Sequence, residues 1–241
     1  MAIVALCASQ AAYGAHPLVT DDTDTQNTGN QQVELNLDRL RQSSARSTVG
    51  ALTYTYGSHP DTDLFINLPA TFQAPAGIND ASLGAKWRFF ENSTDSVALK
   101  AELLLPSGAV DKGQGNGRPG LALTIIASHV AAPWALHANA AIAMNRYALA
   151  ADRDAKRVRL WHVSAAAVYA VTNEWKVALD SGLDQDIDRL EKRPPVYLMA
   201  GIIYSPTPAI DFDAGIRFGI GCRSCPSQIS RQPGLGLTAR F

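Results

Sequence analysis

Ile210-Asp-Phe-Asp-Ala-Gly-Ile-Arg-Phe218 alternates without a break. Ile210, Phe212, Ala214, Ile216 and Phe218 fall on one parity, and Asp211, Asp213 and Arg217 on the other. Successive side chains of a strand point to opposite faces, so this stretch is a strand with an apolar face and a charged face. The same division recurs along the chain. Leu83, Ala85, Trp87 and Phe89 oppose Lys86 and Arg88. Val97, Leu99, Ala101, Leu103 and Leu105 oppose Lys100 and Glu102. Trp134, Leu136, Ala138, Ala140 and Ile142 oppose His137, Asn139 and Asn145. Trp175, Val177 and Leu179 oppose Lys176, Asp180 and Asp184.

Twelve such segments are predicted: 31–41, 48–57, 61–69, 79–91, 95–106, 118–130, 133–145, 157–171, 174–184, 195–204, 208–220 and 232–241. The links between them alternate in length. Short, turn-forming links fall at Gly57–Pro60, Glu91–Asp95, Ala131–Pro133, Thr172–Asn173 and Ser205–Pro208. Longer polar links fall at Arg41–Thr48, Ala70–Asn79, Ser107–Pro119, Tyr147–Lys156, Gln185–Pro194 and Gly221–Gln232. In an up-and-down sheet alternate links lie at opposite ends. One end therefore has tight turns and the other long loops, the asymmetry of outer-membrane barrels. An even strand number puts both termini at the tight-turn end, which is periplasmic in that architecture.

A soluble barrel would turn the apolar face inward and a membrane barrel would turn it to lipid. The aromatics Tyr54, Tyr56, Trp87, Phe89, Trp134, Tyr169, Trp175 and Tyr204 lie close to the tight-turn end, as interfacial aromatics do. Segments of about 9–13 residues suffice to cross a bilayer when tilted. The terminal alternating strand ends on Phe241, which resembles the carboxyl-terminal signature of bacterial outer-membrane proteins and implies recognition by the insertion machinery. The expected fold is all-β: a 12-stranded antiparallel up-and-down barrel in the bacterial outer membrane, in contact with its lipid.

Composition fits this only after the faces are separated. The 241 residues are 46% hydrophobic and 18% charged, with a net charge of -1 and a mean hydropathy of -0.05. No run of about 18 apolar residues exists for a spanning helix, and the neutral charge argues against a nucleic-acid partner. Residues 1–14 read as a signal peptide. An apolar run Ala2–Ala8 is followed by small residues Ala12 and Gly14, although the basic n-region is missing. Residues 15–30 have no strand pattern and are expected to plug the lumen or cap its periplasmic mouth; 31–241 form the barrel. Removal of the leader takes Cys7 and leaves Cys222 and Cys225, an even pair that suggests a disulfide in an exported chain. A Cys-Arg-Ser-Cys spacing also suits a redox motif or half a zinc site, but no second pair or nearby His completes the latter.

The segment His16-Pro-Leu-Val-Thr-Asp-Asp-Thr23, with Thr25-Gln26, Thr28-Gly29 and Gln32–Leu35, resembles the start of a family of outer-membrane proteins. That family is described as transporters or as components of the MetA pathway of phenol degradation. Further matches follow in order: Thr62–Leu64, Leu83–Trp87, Leu104–Gly108 with Gly113–Gly117, Leu136–Asn139, Ala200–Tyr204, Asp213–Arg217 and Leu237–Phe241. The resemblance implies a barrel that passes small aromatic or other apolar compounds.

The candidate pathway is the charged face: Glu34, Asp38, Lys86, Arg88, Lys100, Glu102, His137, Asn139, His162, Lys176, Asp180, Asp184, Asp211, Asp213, Arg217 and Arg240. These charges are expected to pair, because an unpaired buried charge is costly. Twelve strands lie between the eight that side chains fill and the 16–18 of open porins, so a narrow or plugged lumen is expected. Apolar cargo could also leave sideways through the wall. The alternative is a structural or partner-binding barrel without a conduit. A third reading is a lipid hydrolase built on Ser164 and His162, as in the outer-membrane phospholipase A family. Parity turns that pair away from lipid and no third group orients it, so no enzyme is expected. No cofactor or metal is expected either: Asp21, Asp22 and Asp24 lack EF-hand spacing. Gly113–Gly117 lacks the Lys-Ser/Thr of a phosphate loop and reads as a flexible outer loop.

Overall fold

The structure is a computed structural model that describes residues 16–42, 45–73, 75–222, 225 and 227–241. The expected signal peptide lies outside them. The elements are β1 (Gln31–Gln42), β2 (Ala45–His59), β3 (Thr62–Thr71), β4 (Gly77–Ile78), β5 (Ser82–Glu91), β6 (Asp95–Leu104), β7 (Gly120–Ala131), β8 (Trp134–Met144), β9 (Arg159–Ala170), β10 (Trp175–Asp184), β11 (Val196–Thr207), β12 (Ile210–Ile220) and β13 (Ile229–Arg240). Each long strand pairs antiparallel with its chain neighbours, and β1 pairs with both β2 and β13. The sheet therefore closes on itself and leaves no edge. Twelve long strands make the barrel, as the alternation predicts. The two-residue β4 is an added hairpin on the upper part of β3.

The apolar faces point outward. Leu35, Leu83, Leu121, Leu123, Leu136, Leu179, Phe212 and Leu235 are all exposed, while their neighbours along the strand are not. Leu121 is 54% exposed and the inward Ile126 is 0%. An apolar belt of this extent has no place in water and fits lipid. At the tight-turn end aromatics pair across neighbouring strands, Trp175 with Tyr204 stacked and Trp134 with Tyr169 tilted. Ring centroids are 4.7 Å apart for Trp134 and Tyr169, and 4.5 Å for Trp175 and Tyr204.

The link expected over Arg41–Thr48 is a correction. β1 and β2 stay paired to Gln42 and Ala45, so Arg41 and Arg46 are strand residues. The polar run reads as a loop only if every strand must be apolar. A ladder that continues beyond the hydrocarbon needs only its backbone hydrogen bonds. Two of the other long links hold short helical elements, a 3-10 turn at Val110–Lys112 and a helix α1 at Ala150–Ala155. Among the described residues no helix is long and apolar enough to cross a membrane.

The glycine-rich link is not loose. The Asp80 carboxylate accepts hydrogen bonds from the backbone N–H of Gly108 (2.9 Å) and Asn116 (2.7 Å). A Cβ at Gly115 would stand 2.2 Å from Asp80 Oδ1, so glycine there admits the carboxylate. Cys222 and Cys225 are joined by a disulfide in the β12–β13 link.

Candidate functional site

Every candidate pathway residue has inward parity in the strands observed, and Lys100, Glu102, Asn139, His162, Asp180, Asp213 and Arg217 are buried. What they meet differs from expectation. The wall charges pair less with one another than with residues 16–30, which run along the inward faces before β1 begins.

The segment starts beside β12 and β1. His16 bonds the Asp213 carboxylate, and its Nε2 lies 3.6 Å from Asp38. Pro17 covers Gly201 and Gly215, where a Cβ would come within 2.6 Å of the ring. Leu18 and Val19 then pack with Ala166, Ala178, Tyr197 and Met199, an apolar patch on the inward side of β9–β11. Asp180 holds the next turn. Its carboxylate accepts from the N–H of Val19 (2.7 Å) and Thr20 (2.8 Å), from the Thr20 hydroxyl (2.8 Å) and from the Tyr197 hydroxyl (3.0 Å). Asn139 brackets the backbone of Asp21, its amide donating to that carbonyl (3.0 Å) and accepting from that N–H (2.6 Å). The N–H of Thr23 donates to Ser128 (3.2 Å), and the N–H of Gln26 to Asp63 (3.0 Å).

The register explains the acidic run. Lys86 and Lys100 are directly opposite each other on β5 and β6. Like charges so placed repel, and neither wall strand supplies a carboxylate between them. Asp21 does, 2.9 Å from Lys100 and 3.8 Å from Lys86, and Asp22 is 3.6 Å from Lys86. Burial opposes ionisation of Asp21, but Lys100 and then Lys86 hold its carboxyl below the usual range. Burial also opposes the charged form of His16. Its bonds to Asp213 and Asp38 outweigh that and push its pKa up to about 9.

The segment does not fill the lumen. A cavity of about 670 Å³ remains beside it, walled mainly by β1–β3, β5, β6 and β13. It reaches Pro208, Arg240 and Phe241 at the tight-turn end, and Val49, Ala70 and Asn79 towards the long loops. Its wall carries Glu34, Asp38, Thr53, Asp63, Phe65, Asn67, Lys86, Lys100 and Glu102. Lys100 Nζ lies 4.8 Å over the Phe65 ring. A smaller cavity of about 110 Å³ lies under the loops, beside His162 and Asp184.

The remaining candidates fall into place around these features. Arg88 pairs with Asp61 and Glu91 at the tight turns, and Arg240 with Asp211 (2.7 Å). His162 pairs with Asp184 (2.7 Å), and His137 with Ser128 (2.9 Å). Lys176 is half-buried near the β9–β10 turn. Ser164 and His162 do not form a nucleophile pair. The Ser164 hydroxyl is hydrogen-bonded to the Thr20 hydroxyl (2.8 Å), while His162 is turned to Asp184. Sequence reading missed Asp63, Phe65 and Asn67 on β3 and Thr53 on β2. Their signal was the parity of Asp63, Phe65 and Asn67 against Leu64, Ile66 and Leu68.

Comparison with known proteins agrees with this geometry. The family model described as "Putative MetA-pathway of phenol degradation" matches residues 16–225. No curated protein matches the chain. Among solved structures, an outer-membrane channel from Pseudomonas putida F1 superposes with a TM-score of 0.75 at 13% identity, covering 91% of this chain and 98% of that one. The NanC porin gives 0.65 at 11% identity, covering 87% and 100%. The CymD monoaromatic hydrocarbon channel gives 0.50 at 9% identity, covering 90% of each chain. At these identities the likeness is one of fold: the closed barrel of outer-membrane channels and porins.

Proposed function

The chain belongs to the family described as Putative MetA-pathway of phenol degradation, and from that premise we propose that it is an outer-membrane channel for small solutes of aromatic or other apolar character. The observation that carries this reading is the cavity of about 670 Å³ beside the segment 16–30, reaching from Phe241 at one end to Asn79 near the other. Phe65 and Phe241 offer aromatic surface along a wall that is otherwise polar and charged. A narrow lumen of this composition suits solutes of about phenol size. Residues 16–30 act as a partial plug, held on one side of the barrel and leaving the other side as the route.

In this reading the tight-turn end, with both ends of the barrel domain, faces the periplasm. The strand ending at Phe241 serves recognition by the insertion machinery, and the outward apolar belt meets lipid. A sideways exit for apolar solutes is best placed between β3 and β5. Their ladder covers only Thr62–Asn67 against Ser82–Trp87, with β4 filling in above.

The test is unitary conductance in planar bilayers, together with the swelling of liposomes in solutes of graded size. Ion conductance with a cut-off near phenol-sized solutes is the expected result. A folded barrel with no conductance and no swelling above empty liposomes would favour a structural barrel without a conduit.

A further inference from the structure

Among the described residues, one buried cation on the inward face is left without a counter-charge; Lys176 also lacks one but is only half-buried. Lys86, Lys100, Arg88 and Arg240 each have a carboxylate within 4.0 Å, but Arg217 has none among the described residues. It is 8% exposed and lies on the wall of the large cavity, towards the long-loop end of β12. Its Nη2 donates to Gln232 Oε1 (2.6 Å), its guanidinium carbon lies 5.4 Å from the centre of the Tyr197 ring, and its Nε has no hydrogen-bond partner. Cross-strand neighbours do not help, since Arg217 faces Met199 on β11 and Gln232 on β13. Burying a guanidinium with unfilled donors is unfavourable. A planar fork of N–H groups is matched best by a carboxylate, which it can hold through two parallel bonds.

The wall here mixes the polar Gln232, His16 and Asp38 with apolar surface. Pro17 and Met199 line the same cavity, and Leu40 and Val49 lie across it on β1 and β2. We propose that Arg217 forms an anion subsite in the outer part of the cavity for small monocarboxylates with an apolar or aromatic body. The carboxylate would take the guanidinium N–H groups, and the body would lie on Pro17 and Met199. The protonated His16 between Asp213 and Asp38 lowers the negative charge the ligand would meet on its inner side. This inference rests on the channel reading for its biological use, but binding at Arg217 can be measured without conduction.

The experiment is calorimetric titration of the folded, detergent-solubilised barrel with benzoate. Benzyl alcohol serves as the neutral counterpart and empty micelles as the control. Saturable benzoate binding, absent with benzyl alcohol, is expected. In Arg217→Gln the affinity for benzoate should fall by about tenfold or more, the scale of a lost charge-assisted bond. Arg217→Lys, which keeps the charge, should lose less. The folded state of each variant is read from its heat-modifiable migration on gels; if Arg217→Gln does not fold, the graded loss in Arg217→Lys decides. Equal benzoate binding by wild type and Arg217→Gln, or none by wild type, overturns the subsite. A barrel that conducts ions but binds no benzoate loses the subsite and keeps the channel reading. One that binds benzoate at Arg217 but never conducts keeps the subsite and loses the channel.

Discussion

The two sides of the lumen are lined differently, although one barrel wall makes both. Along β9–β11 the middle of the inward face carries Ala166, Ala178, Tyr197 and Met199 around Asp180, with the His162–Asp184 pair nearer the long loops. Along β1–β3, β5 and β6 it carries Glu34, Asp38, Thr53, Asp63, Asn67 and Glu102. The first side is a dry cradle with one acceptor cluster, so a peptide segment can dock on it. The second is polar and wettable, and the large cavity lies along it. On the proposed channel reading, the segment seals the first side and solutes pass along the second. The pattern of small and apolar residues on the inward parity decides which part is which.

The comparison breaks most readily at Asp180. In Asp180→Ala four donors lose their shared acceptor, and two of them are backbone N–H groups of the segment. A loss of about 3–5 kcal/mol is expected for removing such a buried charged partner. It should appear as a lower melting temperature of the folded barrel and, with the segment released, a several-fold higher unitary conductance. Unchanged conductance in a folded Asp180→Ala barrel would mean that the segment is held elsewhere.

A smaller effect is expected where the segment bridges to the open side. Lys100→Met leaves Asp21 with Lys86 alone and also removes the repulsion between the two lysines. The two changes oppose each other, so the cost should be about 2–3 kcal/mol, below that of breaking an isolated buried pair. Thermal unfolding of Lys100→Met beside Asp180→Ala checks the order.

The smallest change is a single proton. His16 has an ordinary pKa of 6.5 that rises to about 9 in the fold. A raised histidine stabilises the charged form. Its contribution is complete below pH 6.5 and is lost as pH rises through about 9. Conductance should therefore increase modestly between pH 8 and 10 as the first residues of the segment loosen, and His16→Gln should flatten that rise. An equal rise in His16→Gln would assign it to another group.

The alternation at Ile210–Phe218 and its repeats carried the fold, because a side-chain period of two survives any curvature of the sheet. The tight turns were legible through Pro, Gly and Asn. The Arg41–Thr48 link was not, because strand pairing outside the hydrocarbon leaves no apolar signal. The segment 15–30 could be read as plug or cap, since it has no periodicity and its partners are remote. Asp180 and Lys100 are about 160 and 79 residues from the atoms they hold. The inward apolar patch was hidden by the mixed character of its strands. Ala166 and Ala178 carry no distinguishing signal in the sequence, and the structure packs Leu18 and Val19 against them.

The central claim is that water and solute pass on the β1–β6 side and not on the β9–β11 side. Single cysteines at Thr53 and at Ser164 test it, with a charged, membrane-impermeant thiol reagent added during conductance recording. Thr53 lines the large cavity. Ser164 is buried beneath Thr20. Reaction at Thr53→Cys should be fast and should reduce the current, while Ser164→Cys should remain unreacted with its current unchanged. Fast reaction at Ser164→Cys, or a current indifferent to modification of Thr53→Cys, would contradict the account.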